Sequence, residues 1–229
     1  MRRLLSQFLC PILLALSFLF TRAQAVGSGR KTIGYRIVSK GEATAINKTH
    51  KPFKSRLHRG DMGYTHQIGN GFYTINSPDS WLGMLSTSDQ WYCVIEANIQ
   101  KFDEAAKLWI PESFEKRGFL GRSSQMDLWS QDEDVILDYI KSEMNMPKPE
   151  KVLRFSYIAY AGDRLHMLIP TKVVNDDGLG LWSICFETKA ELLNYSDEIV
   201  DWKSWNIAGN IGEPSYPLNG INPLNGVGS

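Results

Sequence analysis

The sequence predicts a single α+β domain behind a cleavable leader. Strand-type and helix-type segments alternate without an internal repeat, and no linker-like stretch divides them. Hydrophobic residues make up 43% of the chain, enough for one substantial core. Seven Trp, nine Tyr and ten Phe also point to a packed body and not to a disordered peptide. Lys and Arg total 25, as do Asp and Glu, so net charge offers no general attraction to nucleic acid or to an anionic membrane.

The leader spans residues 1–25. Arg2 and Arg3 open it, an apolar run covers 8–20, and Ala23-Gln24-Ala25 supplies small residues for cleavage. The run falls short of the roughly 20 residues that cross a bilayer as a helix. A secreted protein is therefore expected, with a retained membrane anchor as the alternative. Cleavage after Ala25 leaves 204 of the 229 residues. They divide into a domain over 26–207 and a tail over 208–229, where Gly, Asn and Pro dominate. Nothing in the sequence speaks to oligomeric state.

In order, 32–39 predicts a strand with Ile33, Tyr35 and Ile37 on one side and Arg36 on the other. Ser39-Lys40-Gly41-Glu42 reads as a helix entry. The stretch 49–59, with Lys51, Lys54, Arg56 and Arg59, reads as a solvated loop or a contact for a phosphate. Gly69-Asn70-Gly71-Phe72-Tyr73 predicts a tightly curved loop opening a strand, because glycine admits turns and close approaches that a Cβ forbids. Ser77-Pro78-Asp79-Ser80 predicts a helix start carrying Trp81, Leu82 and Leu85, and 90–99 a strand.

The segment 101–122 reads as irregular. Ser130 and Glu133 have the spacing of a capping box, and the helix they would open carries Val135, Ile136, Tyr139 and Ile140 on one stripe. Three β segments follow, 152–160, 164–174 and 179–186, with turns at Ala161-Gly162-Asp163 and Asp176-Asp177-Gly178. Thr188 is placed to cap a short helix through Leu192 and Leu193, and 200–205 reads as a further turn of helix.

Cys10 leaves with the leader, so Cys93 and Cys185 remain, each in a strand-type run. Export allows them to form an inter-strand disulfide, and two buried thiols are the alternative. Asn47-Lys48-Thr49 and Asn194-Tyr195-Ser196 are sequons, which predict a glycoprotein if the producing cell glycosylates.

Common catalytic signatures are missing from the sequence. His50, His58, His66 and His166 have no metal-ligand spacing. Neither a nucleophile elbow nor a phosphate loop nor a dinucleotide fingerprint occurs. What remains is Tyr35-Arg36 on an early strand, a short helix, and then the glycine loop running into Phe72-Tyr73. Residue by residue, Arg36 reads as a surface ion-pair residue and Tyr73 as core or as a ligand wall.

In that combination the chain resembles the ADP-ribosyltransferases, in particular exported toxin-like members such as the heat-labile enterotoxin A chains. The resemblance implies two small antiparallel or mixed sheets around a cleft with flanking helices. It also implies NAD as substrate and a host macromolecule as acceptor. Arg36 would hold the pyrophosphate through charge-assisted hydrogen bonds. Tyr73 would stack on nicotinamide, with Gly69, Gly71 and Phe72 completing the NAD-binding segment. A carboxylate near the ribose would stabilise developing positive charge.

Here the sequence departs from the family pattern. Ahead of Leu168-Ile169-Pro170, where the family has a glutamate, this chain offers Asp163 and His166. Histidine carries no fixed negative charge. Two further readings therefore stand beside a toxin- or effector-like enzyme. One is a catalytically degenerate binding or effector protein on the same scaffold. The other is an unrelated exported glycoprotein that binds carbohydrate through its tryptophans.

Overall fold

Nine strands and five α-helices form among the residues that the computed structural model describes, 29–53, 66–79, 89–117 and 123–216. The leader, Trp81, Leu82 and Leu85 of the expected helix, and Lys54, Arg56, His58 and Arg59 lie outside them. Lys31–Ser229 forms one compact unit, and Met1–Arg30 falls outside it.

The elements are β1 (Arg30–Ser39), α1 (Lys40–Thr49), β2 (Gly71–Ile75), β3 (Gln90–Asn98), α2 (Ile99–Glu104), β4 (Lys107–Trp109), β5 (Ser113–Arg117) and β6 (Ser123–Asp127). They continue with α3 (Glu133–Met144), β7 (Leu153–Tyr157), β8 (Leu165–Pro170), α4 (Thr171–Asn175), β9 (Trp182–Phe186) and α5 (Lys189–Tyr195). Seven strands share one sheet in the order β4-β7-β8-β2-β1-β3-β9, and β5-β6 form a separate two-stranded sheet. The α+β class therefore holds. In place of the two small sheets expected around a cleft there is one sheet of seven strands and one of two, because β2 joins β8 on one side and β1 on the other.

The centre of the sheet is buried on both faces. In β1, Ile33, Tyr35 and Ile37 are buried from one side and Val38 from the other. Next to β1, Phe102, Phe155, Trp202 and Trp205 pack ring against ring, and the Trp202 indole donates to the Ile33 carbonyl at 2.9 Å. The stretch 200–205, expected as helix, supplies Trp202 and Trp205 from a single 3₁₀ turn, Trp202–Ser204, and its C-cap.

Helix ends follow local chemistry. The Ser39 side chain accepts from the Glu42 amide, and Thr188 and Glu191 form a reciprocal capping box. Edge strand β9 is closed by side chains of α1 and its cap. The Asn47 amide accepts from Cys185 N at 2.8 Å and donates to Cys185 O at 2.9 Å, while His50 O takes the Ser183 amide. This pairing satisfies an edge that would otherwise template another strand, and it ties up one of the two sequon asparagines. Asn194, in the other sequon, is exposed. Cys93 and Cys185 pair directly across β3 and β9 and form a disulfide with an S–S distance of 2.03 Å.

Three expectations change. The Ser130–Glu133 capping box does not form: Asp132 is the N-cap of α3, and the Glu133 carboxylate is engaged elsewhere. The predicted strand over 164–174 stops at Pro170, which has no amide to extend a ladder, and Val173 and Val174 become buried from α4 instead. Among its described residues the segment 101–122 is not irregular: it contains β4, held parallel to β7, and β5, which pairs with β6. From 208 on the chain is tied to the body at two points, Ala208 beside Leu108 and Ser215 beside Gly162. Residues of the expected tail from 217 lie outside the described set.

Candidate functional site

The glycine loop sits directly over a buried ion pair. Arg154, on β7, is fully buried; its Nη2 donates to Glu133 Oε1 at 2.6 Å and its Nη1 to Oε2 at 3.1 Å. The same Nη1 donates to the Ile68 carbonyl at 3.0 Å, and the Asn70 amide donates to Glu133 Oε2 at 2.7 Å. One carboxylate and one guanidinium thus bond the two loop residues that flank Gly69. Gln67 anchors the loop's entry, accepting from Ala159 N and donating to Tyr157 O.

This explains both glycines. Gly69 has φ +101°, and a Cβ there would stand 2.0 Å from Arg154 Nη1 and 2.4 Å from Glu133 Oε2. A Cβ on Gly71 would meet Ile169 O at 2.5 Å. The space that the glycines leave open is filled by the protein itself and not by a cradle for a phosphate.

Strand parity decides where the candidates point. Ile75 of β2 pairs with Tyr35 of β1 and with His166 of β8, so these three side chains share a face. Tyr73, two residues from Ile75, lies on that face, with its ring 5.3 Å from the His166 ring. Arg36, one residue from Tyr35, lies on the opposite face, where its guanidinium covers the Phe72 ring at 4.5 Å. It meets Tyr73 through the backbone, donating from Nη1 to Tyr73 O at 2.9 Å, and stands 3.8 Å from Glu42 Oε1. The expectation that Arg36 and Tyr73 close over one ligand is therefore corrected: a guanidinium and a phenol an odd number of ladder positions apart project to opposite sides.

Both ends of the Tyr73 hydroxyl are occupied. It donates to Gly69 O at 2.8 Å and accepts from Ile68 N at 3.1 Å, so it clasps the loop from which its own strand begins. His166 is buried, and Nε2 has no hydrogen-bond partner among the described residues. Burial lowers its pKa to about 3, so the ring is neutral at physiological pH. Asp163 is exposed on the turn between β7 and β8. The four catalytic candidates fall on one face of the sheet (Tyr73, His166), on the other (Arg36) and on a surface turn (Asp163).

These residues do not fit NAD in this arrangement. The loop amide at Asn70 is spent on Glu133, the glycine spaces are filled, and the aromatic wall and the cation do not face one volume. Among the described residues, no group of three or more His, Cys, Asp or Glu side chains gathers to hold a metal. No described helix is long and apolar enough to cross a membrane.

Residues 66–210 match the model of a family described as a family of unknown function (DUF5910). The chain belongs to this family. No curated protein and no solved structure matches it. The DUF5910 segment contains the glycine loop, Glu133, Arg154, His166 and both disulfide cysteines, whereas Arg36 lies outside it. Sequence reading missed Arg154 and assigned Glu133 to a helix cap. The available signal was an arginine inside an otherwise apolar strand run, Val152-Leu153-Arg154-Phe155, since a charge in such a position requires a buried partner.

Proposed function

We propose that this DUF5910 protein is an exported binding or effector protein without NAD chemistry. The observation that carries this reading is the separation of Arg36 from Tyr73 and His166 by the sheet itself. An oxocarbenium-like transition state needs a cation for the pyrophosphate and a carboxylate for the ribose around one substrate. Here His166, two residues ahead of Leu168, is a buried neutral imidazole whose Nε2 has no hydrogen-bond partner among the described residues. The disulfide fits folding in an oxidising compartment, and the partner of such a protein is a macromolecule met after export.

The test is release of nicotinamide from NAD by the purified secreted protein, run beside Arg36→Ala. The expected result is a rate no higher than buffer for both proteins. Turnover that disappears in Arg36→Ala would overturn the reading and restore an ADP-ribosyltransferase.

A further inference from the structure

We propose that a second concavity, remote in sequence from the glycine loop, binds a small organic phosphate with an apolar body. The pocket, of about 410 Å³, opens between α2, the segment after α3, and α4. Four lysines from three separate parts of the chain converge on it: Lys101 from α2, Lys148 and Lys151 from the segment after α3, and Lys172 from α4. Two carboxylates line it as well, and both are engaged. Asp176 pairs with Lys172 at 2.5 Å, and Glu104 accepts from Gln100 at 2.9 Å. Lys101, Lys148 and Lys151 have no carboxylate partner among the described residues.

Between the ammonium groups the lining is apolar: Ala105, Ala106, Met146, Pro147, Val173 and Leu179. Glu104 keeps its negative charge beside the neutral Gln100 amide, so four lysines against two carboxylates leave a net charge of +2 around one concavity, which concentrates an anion there. An apolar lining in turn favours a ligand whose remaining surface is hydrocarbon or aromatic. Ammonium groups act as point charges without the planar fork of arginine, which suits a phosphate's several oxygens approached from different directions. A pocket of this size takes a ligand of modest dimensions, either free or as the headgroup end of an anionic lipid, and the two sources share the same chemistry.

The probes are octyl phosphate, inorganic phosphate, and phosphatidylcholine vesicles with and without phosphatidic acid, titrated against the secreted protein by calorimetry. Octyl phosphate is expected to bind saturably at one per chain. Lys148→Gln and Lys151→Gln each weaken it about tenfold, as expected for loss of one charge-assisted contact, with an unchanged melting temperature because both side chains are exposed. Inorganic phosphate binds at least about tenfold more weakly, since it leaves the apolar lining unused. Binding to phosphatidic acid vesicles that falls in the same variants assigns the site to a lipid headgroup; octyl phosphate binding alone assigns it to a free ligand. Absence of saturable octyl phosphate binding overturns the proposal, as does inorganic phosphate binding equally well. Vesicle binding without octyl phosphate binding also overturns it, because a flat basic face would then suffice.

Discussion

Arg154 Nη2 stands 2.6 Å from Glu133 Oε1, and this pair, with one partner wholly buried, carries the loop that opens β2. Removing one member leaves a charge in a site built for two. Arg154→Met is expected to destabilise the protein by about 3 kcal/mol, while Arg154→Met combined with Glu133→Leu recovers much of that loss. Urea denaturation of the two single variants and the double variant measures the coupling. Independent, additive losses would show that the pair does not organise the loop.

Gly69 cannot gain a side chain without displacing that pair. Gly69→Ala meets both a positive φ of 101° and a Cβ contact of 2.0 Å with Arg154 Nη1. A loss of about 2–4 kcal/mol is expected. Gly41→Ala is the matching control, since the nearest atom there is 4.0 Å away and the position lies in α1, where alanine is favoured. It should be neutral or stabilising in the same thermal melt.

The Cys93–Cys185 bridge spans a sequence separation of 92 residues, so it strongly restricts the unfolded chain. Reduction, or Cys93→Ser with Cys185→Ser, is expected to cost about 2–5 kcal/mol. Melting curves with and without a reducing agent check this. An unchanged midpoint would mean that α1 and the β3–β9 ladder hold the edge by themselves.

His166 makes stability depend on pH in a definite direction. Burial lowers its folded pKa to about 3, below the value of 6.5 expected when unfolded. The unfolded chain therefore binds the extra proton first. The contribution is fully present above about pH 6.5 and is lost progressively as pH falls towards 3. Denaturant titrations at pH 4 and pH 7 should show a larger acid loss for the wild type than for His166→Leu. Equal losses would exclude His166 as the cause.

Local chemistry was legible wherever the partner lies within a few residues. Ser39 and Thr188 cap their helices because the amides they bond are three positions away. The stripe of Ile136, Tyr139 and Ile140 is buried because helical periodicity aligns it. Long-range partners left no comparable mark. Glu133 has the spacing of a capping residue, yet it turns to Arg154, since a buried guanidinium outweighs an exposed cap. β4 has only three residues, and it exists because β7 offers it a parallel edge.

By itself the sequence determined an α+β body, the caps at Ser39 and Thr188, the strand character of the two cysteine segments, and a glycine loop leading into β2. Only the tertiary structure decided what that loop is for and which way its neighbours face. Alternation along a strand follows from residue order, but the face that each side chain takes depends on register against another strand. The pairing of Ile75 with both Tyr35 and His166 set that register. It put Tyr73 beside the buried imidazole and turned Arg36 to the other side of the sheet, and a shift of one residue would have reversed the outcome.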